Sequence, residues 1–400
     1  MKQKIYKFIY LLLIISSVLS YSDSFATIGT FLKFAFMALM VTYLFNKKFN
    51  IRKYYALLIL LIPFLFIPFI LILFGRYRYL LTEQFINSLS YIVMILAVIA
   101  CTELFEDKKQ LFGFTHLGIL IPLISILLMH IQDISFNAGQ LFINIISNER
   151  VDRTYLGFSN PNMLGLVLMI ALLCSIYFLL FVKRYKMRNA FLTLFYIFLL
   201  LNTGSRTSIV APLVAAIVYC YFLLLKKMNS YTRIIFYCSM FAAGIIILFI
   251  TLNNVSFSLS YLDQLTSGRI LRQLSTINFL SNTNRLSFGL GNLNSGALYS
   301  GQLPISNALN TDNSPVFLIT TIGLVGLFFV ILSLMLIYLN IPSKAIFYKS
   351  LFFCWFVTSL FEHTLFVPSS LASLFFLVIL QNINIADTKE KNLTSGRMYL

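Results

Sequence analysis

The sequence carries little charge. Only 11% of its 400 residues are Asp, Glu, Lys or Arg, whereas soluble globular domains carry about 25%. Hydrophobic residues make up 59% of the chain, well above the 45–50% that is usual for soluble domains. A water-soluble fold cannot bury that much apolar surface, so the composition excludes an ordinary soluble domain.

Cysteine pairs and nucleotide-binding motifs are also missing. The five cysteines lie singly within apolar runs, without the paired spacing of a disulfide framework or metal site: Cys101, Cys174, Cys220, Cys238 and Cys354. We interpret them as small buried apolar residues. The chain contains no GxxxxGK[ST], GxGxxG or DxD motif. The sequence therefore predicts no nucleotide cofactor and no metal.

Long apolar runs take the place of these features. Backbone groups find no hydrogen-bond partners in lipid, so apolar runs near twenty residues must form helices. The runs lie at about 5–21, 26–45, 54–74, 84–101, 111–130, 160–182, 190–204, 207–225, 234–252, 315–338, 350–363 and 366–383. We predict an all-α polytopic membrane protein, a single membrane domain over 1–400 with about twelve transmembrane helices.

The first of these runs has a second interpretation. Lys2, Lys4 and Lys7 lie at its start, as in a secretory signal peptide. No A-x-A-like cleavage site follows, and the predicted topology of twelve helices holds only if this segment is retained in the protein. We therefore expect it to be the first membrane helix.

The net charge of +17 follows the predicted topology. In a soluble protein the excess of 30 basic over 13 acidic residues would suggest a nucleic-acid partner. Here lysine-rich connections alternate along the chain with connections that lack lysine, which is the pattern of the positive-inside rule. The sequence predicts cytoplasmic termini, no nucleic-acid partner, and two long extracytoplasmic loops at 131–159 and 253–314.

The positive charges predicted outside are all arginines: Arg76, Arg78, Arg150, Arg153, Arg206, Arg269, Arg272 and Arg285. A planar guanidinium holds phosphate in a bidentate way, which lysine cannot do. Arg76 and Arg78 also suit anchors of helix ends at lipid headgroups. The one charge near the middle of a predicted span is Lys33.

Arg206 lies in a polar segment, Asn-Thr-Gly-Ser-Arg-Thr-Ser at 202–208, between two apolar runs. A charge at the membrane boundary is costly unless it pairs or faces a cavity. Ser205, Thr207 and the first amides of the following helix could add donors for an anion. We expect an anion-binding site here.

Two further polar clusters precede predicted helices. The first contains Arg150 and Arg153 and ends in Asn160-Pro161, a pattern typical of an N-cap followed by proline at the first helical position. The second contains the following residues: Arg269, Arg272, Arg285, Asp312 and Asn313. Asp312 could cap a helix or act as a base near the membrane surface.

Glu362 and His363 interrupt the apolar run near the C terminus and could belong to the same site, although a histidine at a helix end is often structural.

Five short motifs occur in a fixed order between about 150 and 330. They are Asn-Pro-Asn within Gly157–Gly165, Thr-Gly-Ser-Arg-Thr-Ser at 203–208, Ser-Gly-Arg at 267–269, Phe-Gly-Leu-Gly at 288–291, and Asp312-Asn313 followed by Gly323 and Gly326. In this order and at these membrane positions they resemble the Wzy-like polysaccharide polymerase and O-antigen ligase superfamily. Residues before about 130 match only as a run of membrane helices.

The resemblance implies a membrane glycosyltransferase of GT-C-like architecture in the bacterial cytoplasmic membrane. It implies a lipid-linked oligosaccharide substrate on undecaprenyl pyrophosphate, and functional association with a flippase and a chain-length regulator. The expected catalytic residues are Arg206, Arg269, Asp312 and Glu362. The expected substrate-binding residues are Arg150, Arg153, Ser205, Thr207, Arg272, Arg285, Asn313 and His363.

Three alternatives remain at this point. One is a nonenzymatic membrane scaffold or receptor, for which replacement of Arg206 would leave function intact. Ligase members commonly have His-Asn where this chain has Asp312-Asn313, which argues against the ligase subclass. A flippase or transporter of lipid-linked oligosaccharide would also use arginines, but it predicts intramembrane charges towards both leaflets and no large outer loop. The sequence therefore favours a repeat-unit polymerase.

Overall fold

The computed structural model describes residues 2–45, 47, 49–73, 81–130, 132, 155–228, 269–293 and 313–396, with side chains up to 383. In these ranges the secondary structure is helical, apart from an isolated bridge between Ser22 and Phe158. The α-helices are α1 (Lys2–Leu19), α2 (Ala26–Phe45), α3 (Tyr55–Leu58), α4 (Ile67–Leu73), α5 (Leu81–Leu104), α6 (Lys108–Met129), α7 (Pro161–Phe181), α8 (Lys186–Thr203), α9 (Arg206–Lys227), α10 (Arg269–Asn282), α11 (Ser314–Leu339), α12 (Ile346–Phe361) and α13 (Leu371–Gly396).

Six of the described helices are long and apolar enough to cross a membrane, namely α2, α5, α6, α7, α9 and α11. The segment 51–73 is bent by 56° and forms a seventh if it is one span. The predicted helical membrane class is confirmed at this level. Helices α1, α8, α12 and α13 overlap further predicted runs, and the run 234–252 lies outside the described residues.

The core lies around α7 and the first half of α13. Helix α7 and residues 371–380 of α13 are almost entirely apolar on all sides, which is the pattern of a helix surrounded by protein. Residues 371–383 are all buried. Aromatic rings stack between neighbouring helices, with 3.8 Å between the ring centroids of Phe112 in α6 and Tyr177 in α7. By contrast, α9 exposes Leu213 and Ile217, as a helix that faces lipid does.

The cysteine interpretation is correct for part of the set. Cys101, Cys174 and Cys354 are buried in the core. It is wrong for Cys220, which lies on the exposed face of α9. The residues around it on that face are apolar, among them Leu213, Ile217 and Leu224, so a small apolar side chain suits it as well as it suits the core. Cys238 lies outside the described residues.

Helix α11 is broken at Gly323, whose backbone (φ 70°, ψ −174°) only glycine adopts readily. Such a break frees backbone groups that lipid cannot satisfy. The segment 286–291 supplies the partners through four hydrogen bonds: Leu290 N to Thr320 O (2.8 Å), Gly291 N to Thr321 O (2.9 Å), Leu324 N to Leu286 O (3.0 Å) and Val325 N to Ser287 O (3.1 Å). The motifs at 288–291 and Gly323 are therefore two halves of one structural contact.

Candidate functional site

A cavity of about 330 Å³ lies where the N-terminal ends of four helices, α7, α9, α10 and α11, meet the C-terminal end of α12. Its polar lining residues are Asn162, Arg206, Thr207, Arg269, Gln273, Asn313 and Glu362. Its apolar lining residues are Val210, Ile270, Leu360 and Phe361. Each helix N-terminus carries a partial positive charge, so this arrangement favours an anion even before the arginines are counted.

The turn between α8 and α9 places Arg206. Gly204 ends α8 in the left-handed conformation (φ 56°, ψ 21°), which lets α9 begin two residues later. Arg206 is the first residue of α9 and Thr207 the second, and both line the cavity. Ser205 precedes the helix and is buried, with its Oγ donating to Ser208 Oγ at 3.0 Å. Ser205 is not among the cavity-lining residues.

Glu362 occupies the centre of the polar lining. It directly follows α12, and its Oε1 accepts hydrogen bonds from Asn162 Nδ2 at 3.1 Å and Thr207 Oγ1 at 3.5 Å. Arg269 Nη1 lies 3.9 Å from the same oxygen and donates to Phe361 O at 2.9 Å. The carboxylate thus connects three helices that are distant in sequence. The two charged side chains are 24% and 19% exposed, so the pair stabilises the fold by no more than about 1 kcal/mol.

The backbone around Glu362 is fixed by Ser314, the first residue of α11. Ser314 Oγ donates to Glu362 O at 3.0 Å and accepts the amides of Thr364 and Leu365, each at 2.9 Å. Asn313 caps the same helix by accepting from Val316 N at 2.9 Å. The start of α11 therefore supplies one cavity residue, Asn313, and through Ser314 it also holds the backbone of another, Glu362.

The cavity brings together five of the predicted site residues: Arg206, Thr207, Arg269, Asn313 and Glu362. Four other predicted residues do not line it, namely Ser205, Arg272, Arg285 and His363. The His363 ring packs on Phe317, with 3.6 Å between ring centroids, and Arg272 lies on an exposed part of α10. Arg150, Arg153 and Asp312 lie outside the described residues.

Three polar residues of the site were not predicted. Gln273 lies four residues after Arg269, and this spacing on a helix places both on one face, so it could have been found. Asn162 is the second residue of α7, within the Asn-Pro-Asn motif whose Asn160 caps the helix as predicted, accepting from Asn162 N at 2.8 Å. Ser314 acts through contacts with residues 362–365, and no local pattern indicates those.

The cavity combines properties that suit an amphiphilic anion. Two guanidinium groups and four helix ends favour negative charge. Amide and hydroxyl side chains offer both donors and acceptors, as sugar hydroxyls require. Val210, Leu360 and Phe361 are exposed on the apolar side. The charged part of a ligand can thus lie in the cavity while an apolar part lies along the helices.

No protein-family model matches the sequence, and no curated protein matches it significantly.

Proposed function

We propose that the protein is a membrane polymerase that joins polyprenyl-pyrophosphate-linked oligosaccharide repeat units into a surface polysaccharide. One observation carries the proposal. Arg206 and Arg269, from distant segments, meet Glu362 in a cavity built from four helix N-termini beside exposed apolar side chains. A pyrophosphate, a sugar and a lipid tail each find matching chemistry there.

The reaction transfers the growing glycan to the next repeat unit. A hydroxyl oxygen of the acceptor attacks the anomeric carbon of the donor and forms the new glycosidic bond. The bond between that carbon and the phosphate oxygen breaks, and the lipid pyrophosphate leaves with the electron pair. Arg206 and Arg269 stabilise the growing negative charge; loss of one such donor typically lowers a rate by about 100- to 1,000-fold.

A carboxylate accepts the proton of the attacking hydroxyl. Glu362 lies in the cavity within reach of both the hydroxyl-bearing and the cationic part of the lining. Asp312, the second candidate, directly precedes the cavity residue Asn313. Asn162, Thr207 and Asn313 bind the sugar or phosphate oxygens.

The proposal places about twelve helices in the bacterial cytoplasmic membrane, with cytoplasmic termini and the cavity at the outer surface. Contacts between loops support this arrangement. Two connections predicted outside touch each other, with Asp23 N donating to Gly157 O at 3.1 Å. Two segments predicted inside also touch, with Lys7 Nζ donating to Gln110 Oε1 at 2.6 Å.

The decisive test supplies the purified protein with lipid-linked repeat units and resolves the glycans on a gel. We expect a ladder of longer products from the wild type. Arg206→Lys should lower the initial rate at least about tenfold, because a point charge cannot replace the bidentate fork. Unchanged substrate with the wild type would contradict the polymerase, and a wild-type rate for Arg206→Lys would contradict the role of the guanidinium.

A further inference from the structure

Lys33 is the only fully buried charged side chain among the residues whose side chains the structure describes. It lies in α2, is 2% exposed and does not line the cavity. An ammonium group on a membrane helix is costly, and such residues usually serve a function or hold a specific partner. The partner of Lys33 is therefore informative.

The Lys33 ammonium binds the loop that begins with Glu362. Its Nζ donates to Ser369 O at 3.1 Å and lies 3.5 Å from Ser20 Oγ. Tyr21 reaches the same carbonyl, with 3.4 Å from its hydroxyl to Ser369 O, and accepts from Leu371 N at 2.8 Å. Two side chains from one end of the α1–α2 pair thus hold the end of the 362–370 loop.

The remainder of this loop is rigid enough to transmit that constraint. Ser314 binds its first residues, and Ser373 Oγ accepts from Val367 N at 2.9 Å. Phe366 is buried in the left-handed conformation (φ 54°), which costs energy for a residue with a side chain and persists only where the surroundings enforce it. A change at Ser369 therefore alters the backbone that carries Glu362 rather than being absorbed by a flexible segment.

We propose that Lys33 is a positioning residue for Glu362, with Tyr21 as its partner in holding the 362–370 loop. Lys33 touches neither the cavity nor the substrate and acts through the backbone of the loop. The structural part of this proposal stands alone. Its effect on turnover rests on the proposed function, in which the Glu362 carboxylate acts on the acceptor.

The test compares Lys33→Met, which removes the charge at similar length, with Tyr21→Phe, which removes one hydroxyl. The control is Met40→Ala, a buried change two turns further along α2 that weakens packing without contact to Ser369. Hydrogen exchange of the peptide 362–371 should become at least about tenfold faster in Lys33→Met, and faster in Tyr21→Phe, and unchanged in Met40→Ala.

Turnover supplies the second measurement. We expect Lys33→Met to lower kcat at least about tenfold with KM nearly unchanged, since a small misplacement of a reacting group can lower a rate about 100-fold while the cavity arginines still bind substrate. Met40→Ala should lower the melting temperature and leave kcat within about twofold. If the Lys33→Met protein does not accumulate in cells, hydrogen exchange of the peptide 362–371 and turnover are both measured with Tyr21→Phe.

Wild-type exchange of the 362–371 peptide in both loop variants would overturn the proposal. So would equal losses of kcat in Lys33→Met and Met40→Ala at matched loss of melting temperature, because that would be destabilisation alone. An inactive wild type would contradict the polymerase and not the loop contact, which hydrogen exchange tests without any substrate.

Discussion

Arg269 and Arg272 form a matched pair of residues on α10. Arg269 lines the cavity, contacts Glu362 and donates to Phe361 O, whereas Arg272 lies one turn away on an exposed part of the helix. Replacement by lysine keeps the charge in both and removes the fork. We expect Arg269→Lys to lower kcat at least about tenfold and Arg272→Lys to stay within about twofold, measured as initial rates at saturating lipid-linked substrate. Equal effects would mean that net charge on α10, and not the geometry of the cavity, sets the rate.

The individual site residues differ in how far the sequence predicts them. Arg206 and Arg269 are predictable because a guanidinium at a membrane boundary requires a partner or a cavity. Ser205 and Thr207 flank Arg206 symmetrically in sequence, yet only Thr207 lines the cavity, since Ser205 lies ahead of the first helical turn and faces Ser208. The direction in which each side chain leaves the first turn of α9 determines which one lines the cavity, and the amino-acid composition of the segment gives no information about that direction. The support that Ser314 gives Glu362 depends wholly on tertiary contact.

The broken helix α11 provides a test at the level of the element. At Gly323 an added Cβ would contact Ser287 O, and the φ of 70° is unfavourable for any side chain. Gly113 in α6 has room, since its nearest neighbour would be Phe178 Cζ at 3.7 Å. We expect Gly323→Ala to lower the free energy of unfolding by at least about 2 kcal/mol and Gly113→Ala to change it by less than about 1 kcal/mol. Thermal unfolding in detergent measures both, and similar stability of the two variants would contradict the contact between the break and residues 286–291.

The helices were predictable from apolar runs because lipid leaves the backbone no other structure. The bends and breaks in these helices were only partly predictable from the sequence. The bend in 51–73 falls between Leu58 and Ile62, directly before Pro63, which removes a backbone donor and is visible in the sequence. The break at Gly323 is stable only because residues 286–291 pair with the groups it frees, and that pairing joins segments thirty or more residues apart. The local sequence therefore shows a glycine at 323 but does not indicate that residues 286–291 pair with the backbone there.

For the whole molecule, helix length and burial help to explain why fewer described helices are long and apolar enough to cross a membrane than the number of apolar runs suggests. Helix α12 has 16 residues, about 24 Å, against a hydrocarbon thickness of about 30 Å. It ends at Phe361, and the loop 362–370, which is buried from Thr364 to Pro368, continues to α13. A helix whose end is enclosed by its neighbours need not match the lipid thickness.

The orientation of the molecule decides whether the cavity can meet a lipid-linked donor on the outer leaflet. Ser281 is exposed near the C-terminal end of α10, in the loop predicted to be outside, and Met187 is exposed at the start of α8, on the side predicted to be cytoplasmic. In a chain whose five native cysteines are replaced by alanine, a membrane-impermeant maleimide should label Ser281→Cys in intact cells. Met187→Cys should react only after permeabilisation, because the positive-inside rule keeps the basic start of α8 in the cytoplasm. The reverse pattern would place Arg206, Arg269 and Glu362 at the inner leaflet, where an outer-leaflet polymerase could not use them, even with every contact in the cavity intact.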